Sequence, residues 1–211
     1  MKLLFGESIN WKNHIFGVVM KADKEILAFC NLIRSRSEEN RRAIDILSKS
    51  QNAIISPSFS ILRQELDSMI RVIYLLNIET FSERKRIINQ TLNGEQWTVK
   101  TENGKERKVT DREMVNLVTR LYGWTLSVYK FGCSFIHLSN FHNHLCENPV
   151  SKLSVEEKKA ILNHMKEYHG YYSDSLEVQD IWPYIPQIFD KISGNLGCYV
   201  EDLQNNSTSS L

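Results

Sequence analysis

The sequence predicts a mostly α protein: a helical bundle of five to seven helices with one small inserted β-hairpin. Three observations predict it. Apolar residues recur at three- and four-residue spacing through most of the chain. Two capping boxes, Thr110-Asp111-Arg112-Glu113 and Ser154-Val155-Glu156-Glu157, stand in front of apolar-periodic runs. One segment, residues 96–109, abandons that period and holds Asn103-Gly104 between extended stretches, the strongest short hairpin signal.

The composition agrees. The 211 residues carry 26 Lys+Arg against 25 Asp+Glu, and 42% are hydrophobic. That balance excludes a disordered tail protein, a collagen-like repeat and a strongly basic nucleic-acid coat. The length fits one helical domain over residues 1–203, with the hairpin as an insertion. Residues 204–211, Gln-Asn-Asn-Ser-Thr-Ser-Ser-Leu, read as a disordered tail. No internal repeat is present.

In chain order, Phe5, Ile9, Trp11, Ile15 and Phe16 suggest a short helix or an extended arm packed on the body. From Asp23 to about Ser50 a helical stripe runs through Ile26, Phe29, Cys30 and Ile33 and resumes at Ile44 and Leu47. The intervening RSRSEENRR is polar on every face, so it reads as a solvated helical section or a break. Ser56-Pro57-Ser58 starts the next helix, because proline is tolerated in a first turn. Leu62, Leu66, Met69, Ile70, Ile73 and Leu76 share its apolar face. Ser82 opens a short basic helix. In the hairpin, a type I′ turn at Asn103-Gly104 would need positive φ at both residues. After it, a long apolar stretch carries only Glu113, Arg120 and Lys130 as charges up to Cys146. That makes it the candidate central helix. A helix from Ser154 to about Tyr168 ends at Gly170. The last one runs from about Pro186 to Leu203.

No secretory signal and no membrane span is read, since Glu7, Lys12 and His14 interrupt the N-terminal apolar stretches and no run nears 20 apolar residues. Cys30, Cys133, Cys146 and Cys198 form no C-x-x-C pair. They read as reduced thiols of a cytoplasmic protein.

Five of the six histidines fall between His137 and His169. A shared polar site would need ligands three or four residues apart on a helix. His137 and His142 are five apart, and His142-Asn143-His144 skips across the helix. The expectation is therefore no metal and no cofactor, with helix-end histidines bonded to backbone. Arg63, Asp67 and Arg71 stand four apart on one flank. They form either a phosphate-gripping set or a surface charge ladder. Residues 82–112 hold eight basic and five acidic side chains, with Trp97 available to stack on RNA or DNA; residues 147–180 hold four and seven. A solvated face is the plainer reading, and opposite charges also permit self-association. Nucleophile elbows, P-loops and dinucleotide fingerprints are absent.

LRQELDSMIRVIYLL (Leu62–Leu76), followed by YKFGCSFIHLSNFHN (Tyr129–Asn143), resembles a broad set of all-helical bacterial proteins. Some of these look like the HEPN group (higher eukaryote and prokaryote nucleotide-binding). That group includes ribonuclease toxins, defence proteins and nucleotide-binding modules. The resemblance implies a helical bundle, often dimeric. The group's nuclease signature sets an Arg four to six residues before a His; the nearest counterpart here is Lys130 with His137. Two functions are therefore expected in order. The first is a non-catalytic module that binds a protein partner or itself. The second is an RNA-binding or RNA-cleaving protein of toxin or phage-defence type, using Lys130 on phosphate and His137 and His142 as polar catalysts beside Arg63.

Overall fold

The computed structural model describes residues 23–101, 103–121 and 124–206. The readings of residues 1–22 and of the last five residues lie outside these. Among the described residues the chain is mostly helical with one two-stranded ribbon. Seven helices have eleven residues or more: α1 (Lys24–Ser48), α2 (Ile55–Leu76), α3 (Phe81–Leu92), α4 (Asp111–Leu121), α5 (Trp124–Ile136), α6 (Val155–His169) and α8 (Ile185–Asn205). A single α-turn, α7 (Val178–Ile181), precedes α8, and strands β1 (Thr98–Lys100) and β2 (Glu106–Lys108) form the ribbon.

The bundle is built around α2, and not around the apolar stretch after Glu113. Fourteen of its 22 residues are buried, and it packs against α1, α4, α5 and α8. The stretch 113–146 is instead two helices, α4 and α5, followed by a 3-10 turn at Asn140–Asn143. Low charge marked that region as buried, but α2 has apolar residues on more than one face and so can take neighbours all round. α8 lies along α2 with Ile188, Phe189, Ile192, Leu196, Val200 and Leu203 inward. Each such side chain contributes about 1.5–3 kcal/mol on burial. The helix runs through Gln204 and Asn205, two residues past the expected start of the tail.

α1 is unbroken through RSRSEENRR. One face of that stretch meets buried polar groups. Glu65 of α2 is fully buried and accepts from Ser37 Oγ and, at 3.0 Å, from Asn40 Nδ2. Arg41 reaches Asp190 (2.6 Å) and Ser193 Oγ (3.1 Å) on α8. The polar run therefore ties three helices together, since buried polar groups demand partners. Arg84, itself buried, donates to Leu75 O (3.0 Å) and Ile78 O (2.8 Å) and so satisfies carbonyls at the end of α2.

The ribbon pairs Thr98 with Lys108 and Lys100 with Glu106. Its turn differs from type I′. Gly104, at φ 72°, has the left-handed backbone and donates to Thr101 O at 2.8 Å, while no described non-glycine residue has positive φ. A single left-handed glycine closes the turn. Trp97 anchors the ribbon: it is buried, and its Nε1 donates to Thr91 Oγ1 at 2.6 Å. No described helix is long and apolar enough to cross a membrane.

Candidate functional site

The spacing Arg63-Asp67-Arg71 puts all three on one flank of α2, and they do meet. Asp67 lies 3.6 Å from Arg63, 3.0 Å from Arg71 and 3.7 Å from Arg36 of α1. Asp111, at the start of α4, takes Arg71 at 3.3 Å and Arg63 at 4.0 Å. This is no surface ladder. The Arg63 side chain is 7% exposed and its guanidinium carbon lies over the Tyr129 ring, 3.7 Å from its centre. Burial works to lower its pKa; the Cys133 thiol, Asp67 and Tyr129 outweigh burial and hold it above the usual arginine value. Two carboxylates already occupy the three guanidinium groups, so an arriving phosphate would have to displace them. Trp97 lies beneath Arg71 at 5.1 Å and beside Tyr74, 5% exposed. It offers no open face for a base, because the ribbon folds its largest apolar side chain onto α2.

Lys130, His137 and His142 do not converge: no hydrogen bond or ion pair links one to another. Lys130 is exposed and pairs with Glu157 of α6 at 3.3 Å. His137 is exposed one residue past α5, its backbone N–H on Cys133 O at 3.1 Å. His142 belongs to the 3-10 turn: its Nδ1 accepts from the Ser139 N–H at 3.3 Å, and its Nε2 lies 3.5 Å from Ser56 Oγ. His144 Nδ1 is buried without a partner, and burial followed by the nearby His142 lowers its pKa. Among the described residues no group of three or more His, Cys, Asp or Glu is placed to hold a metal.

The structure brings other residues together at α6. The full capping box at Ser154 and Glu157 starts this helix, and Gly170, left-handed at φ 66°, ends it. Between them only Met165 is buried, and the helix leans chiefly on α5. Two open crevices flank that line of contact. One, of about 440 Å³, is floored by Phe59, Leu62, Phe131 and Ile188 and walled by Ile161, His164 and Met165, with Tyr168 at its rim. The other, of about 590 Å³, runs past Phe141, Leu153 and Lys130. Phe131, Ala160 and Ile161 line both.

The floor is rigid. Phe59 stacks on Phe135 (4.6 Å between centroids), and Phe131 meets Phe59 and Phe141 edge-on at 4.8 and 5.2 Å. His164 sits against the rings of Tyr168 (4.7 Å) and His169 (5.5 Å). Burial, then Lys191 and His169, lower its pKa from 6.5 to about 4, so the ring is neutral at pH 7. His169 is lowered by the same burial, hydrogen-bonds Gln187 and keeps Nε2 buried without a partner.

Sequence reasoning grouped His164 and His169 with the other histidines and missed the crevice. The available signal was the thin apolar stripe of α6, Ile161, Leu162 and Met165, which is narrow for a helix expected to bury a full face. No protein-family model matches this chain, and neither a curated protein nor a solved structure matches it significantly.

Proposed function

We propose that the protein is a non-catalytic helical binding module whose ligand site is the crevice between α5 and α6. One observation carries the reading: about 440 Å³ of open space is floored by core side chains and closed on one side by a helix with a single buried residue. Ligand pockets are concave, mostly apolar and of about 300–1,000 Å³. An apolar molecule there would cover surface that α6 leaves uncovered, and its transfer from water is favourable by about 25 cal/mol for each Å² buried.

The alternative, a HEPN-like protein that binds or cleaves RNA, rests on Lys130, His137 and His142 beside Arg63. A general acid–base pair needs hydrogen-bond reach to one substrate atom. Lys130 is engaged by Glu157 on α6, His142 caps a turn, and Arg63 is buried against Tyr129. These arrangements favour the binding reading.

Ala160→Trp tests it. Ala160 lies exposed on α6 and lines both crevices, so an indole there obstructs the space beside it without replacing a core side chain. Pyrene fluorescence should report saturable binding to the wild type and at least about tenfold weaker binding to the variant, with the thermal midpoint within a few degrees. No saturable binding to the wild type, or equal binding to both proteins, would remove the crevice from consideration.

A further inference from the structure

We infer that the crevice under α6 selects an uncharged apolar molecule bearing one hydrogen-bonding oxygen, a carbonyl or hydroxyl, and that His164 is the residue that reads it. The inference rests on the crevice being the binding site, and adds the chemical class of ligand.

The floor, of Phe59, Leu62, Phe131 and Ile188, offers a ligand only dispersion and burial. Polar liners are few. Asn163, Glu167 and Tyr168 are exposed at the rim, whereas His164 is partly buried in the wall. The His164 ring stands against the rings of Tyr168 and His169, and among the described residues none hydrogen-bonds either of its nitrogens. These nitrogens are left to water; a ligand that fills the crevice displaces that water, and one that supplies an oxygen replaces the lost hydrogen bond.

Charge decides the rest. His164 titrates at about 4, so at neutral pH it has one N–H to donate and one lone pair to accept with. It offers no cation to a carboxylate or phosphate. At the rim, the Glu167 carboxylate opposes an anion. Lys191, whose Nζ lies 4.3 Å from the Tyr168 ring centre, opposes a cation. Neither sign of ligand charge gains across the site, and a neutral ligand loses the least solvation on entry. A single neutral imidazole in an apolar wall therefore fits a single neutral oxygen.

Two uncharged dyes separate the parts of this argument. Nile red carries a carbonyl; pyrene is a hydrocarbon without a hydrogen-bonding atom. Both are titrated by fluorescence at pH 7 against wild type, His164→Phe and His164→Gln. His164→Phe should weaken Nile red about five- to tenfold and leave pyrene within about twofold. His164→Gln restores a donor and should recover most of the Nile red affinity. The imidazole ¹⁵N resonances of His164 should move on adding Nile red and not on adding pyrene.

An equal loss for both dyes, or no loss for Nile red, overturns the assignment of His164 as the recognising group. Failure of pyrene to bind the wild type overturns the crevice itself, so the two failures are distinguishable. If His164→Phe unfolds, His164→Gln and the ¹⁵N shifts still decide: resonances unmoved by bound Nile red overturn the proposal.

Discussion

Gly132 lies opposite Arg63, and the pair shows how a single position sets the approach of two helices. A Cβ added at Gly132 would stand 2.7 Å from Arg63 Cβ and 3.1 Å from its Cδ. The arginine cannot swing aside, because its guanidinium is pinned between Tyr129, Asp67 and Asp111. Gly132→Ala therefore sets a helix-propensity gain of about 0.5–1 kcal/mol against an overpacking cost of about 1–3 kcal/mol. The cost wins, and urea denaturation should show a net loss of about 1 kcal/mol. Gly197, on the exposed side of α8, has nothing among the described residues within 4 Å of an added Cβ. Gly197→Ala keeps the gain alone and should stabilise by about 0.5–1 kcal/mol. The same chemical change should thus have opposite signs at the two sites. Destabilisation at both, or stabilisation at both, would contradict the contact geometry.

At the scale of elements, α6 differs from its neighbours. α2 and α8 are held by broad buried faces, so their stability is tertiary. α6 buries one residue and depends on its own ends: the reciprocal Ser154–Glu157 cap, the Lys130–Glu157 pair and the left-handed Gly170. The Lys130 pair is exposed and worth little. The cap carries more, so Ser154→Ala should cost about 1 kcal/mol. Amide exchange should rise through the first turns of α6 and stay unchanged in α2. Equal loss of protection in both helices would mean that α6 is not a separately held element.

For the molecule as a whole, acid should act through α6 and the turn before it. The pKa values of His144, His164 and His169 are all lowered, each chiefly by burial. Between the folded and unfolded values the unfolded chain binds more protons, so stability rises with pH across that window. For His164 the window runs from about 4 to 6.5. Its contribution is complete above pH 6.5 and is lost as pH falls toward 4. Because the ring is only partly buried, the expected loss is about 2 kcal/mol and not the full value of the shift. Thermal midpoints between pH 4 and 7 should fall on acidification, with a shallower slope in His164→Phe. Equal slopes in the two proteins would mean that His164 titrates normally.

Local patterns in the chain were sufficient for most of the helices, the ribbon and the Ser154 cap, because each depends on residues within a few positions of one another; they did not divide the stretch after Glu113 between α4 and α5. The apolar stripe of α2, Leu62 to Leu76, and that of α8, Ile188 to Leu203, were plain for the same reason. So was the i,i+4 spacing of Arg63, Asp67 and Arg71. Which helix is central, whether Arg63 is buried, and where the open space lies depend on how faces meet, and only the tertiary structure decided them. Arg63 is covered by Tyr129 and Gly132, more than sixty positions away. Trp97 looked free beside basic residues but spends its apolar surface on the bundle. The crevice under α6 is a shortfall in packing between helices. No residue encodes such a gap by itself; it belongs to the fit between α2, α5, α6 and α8.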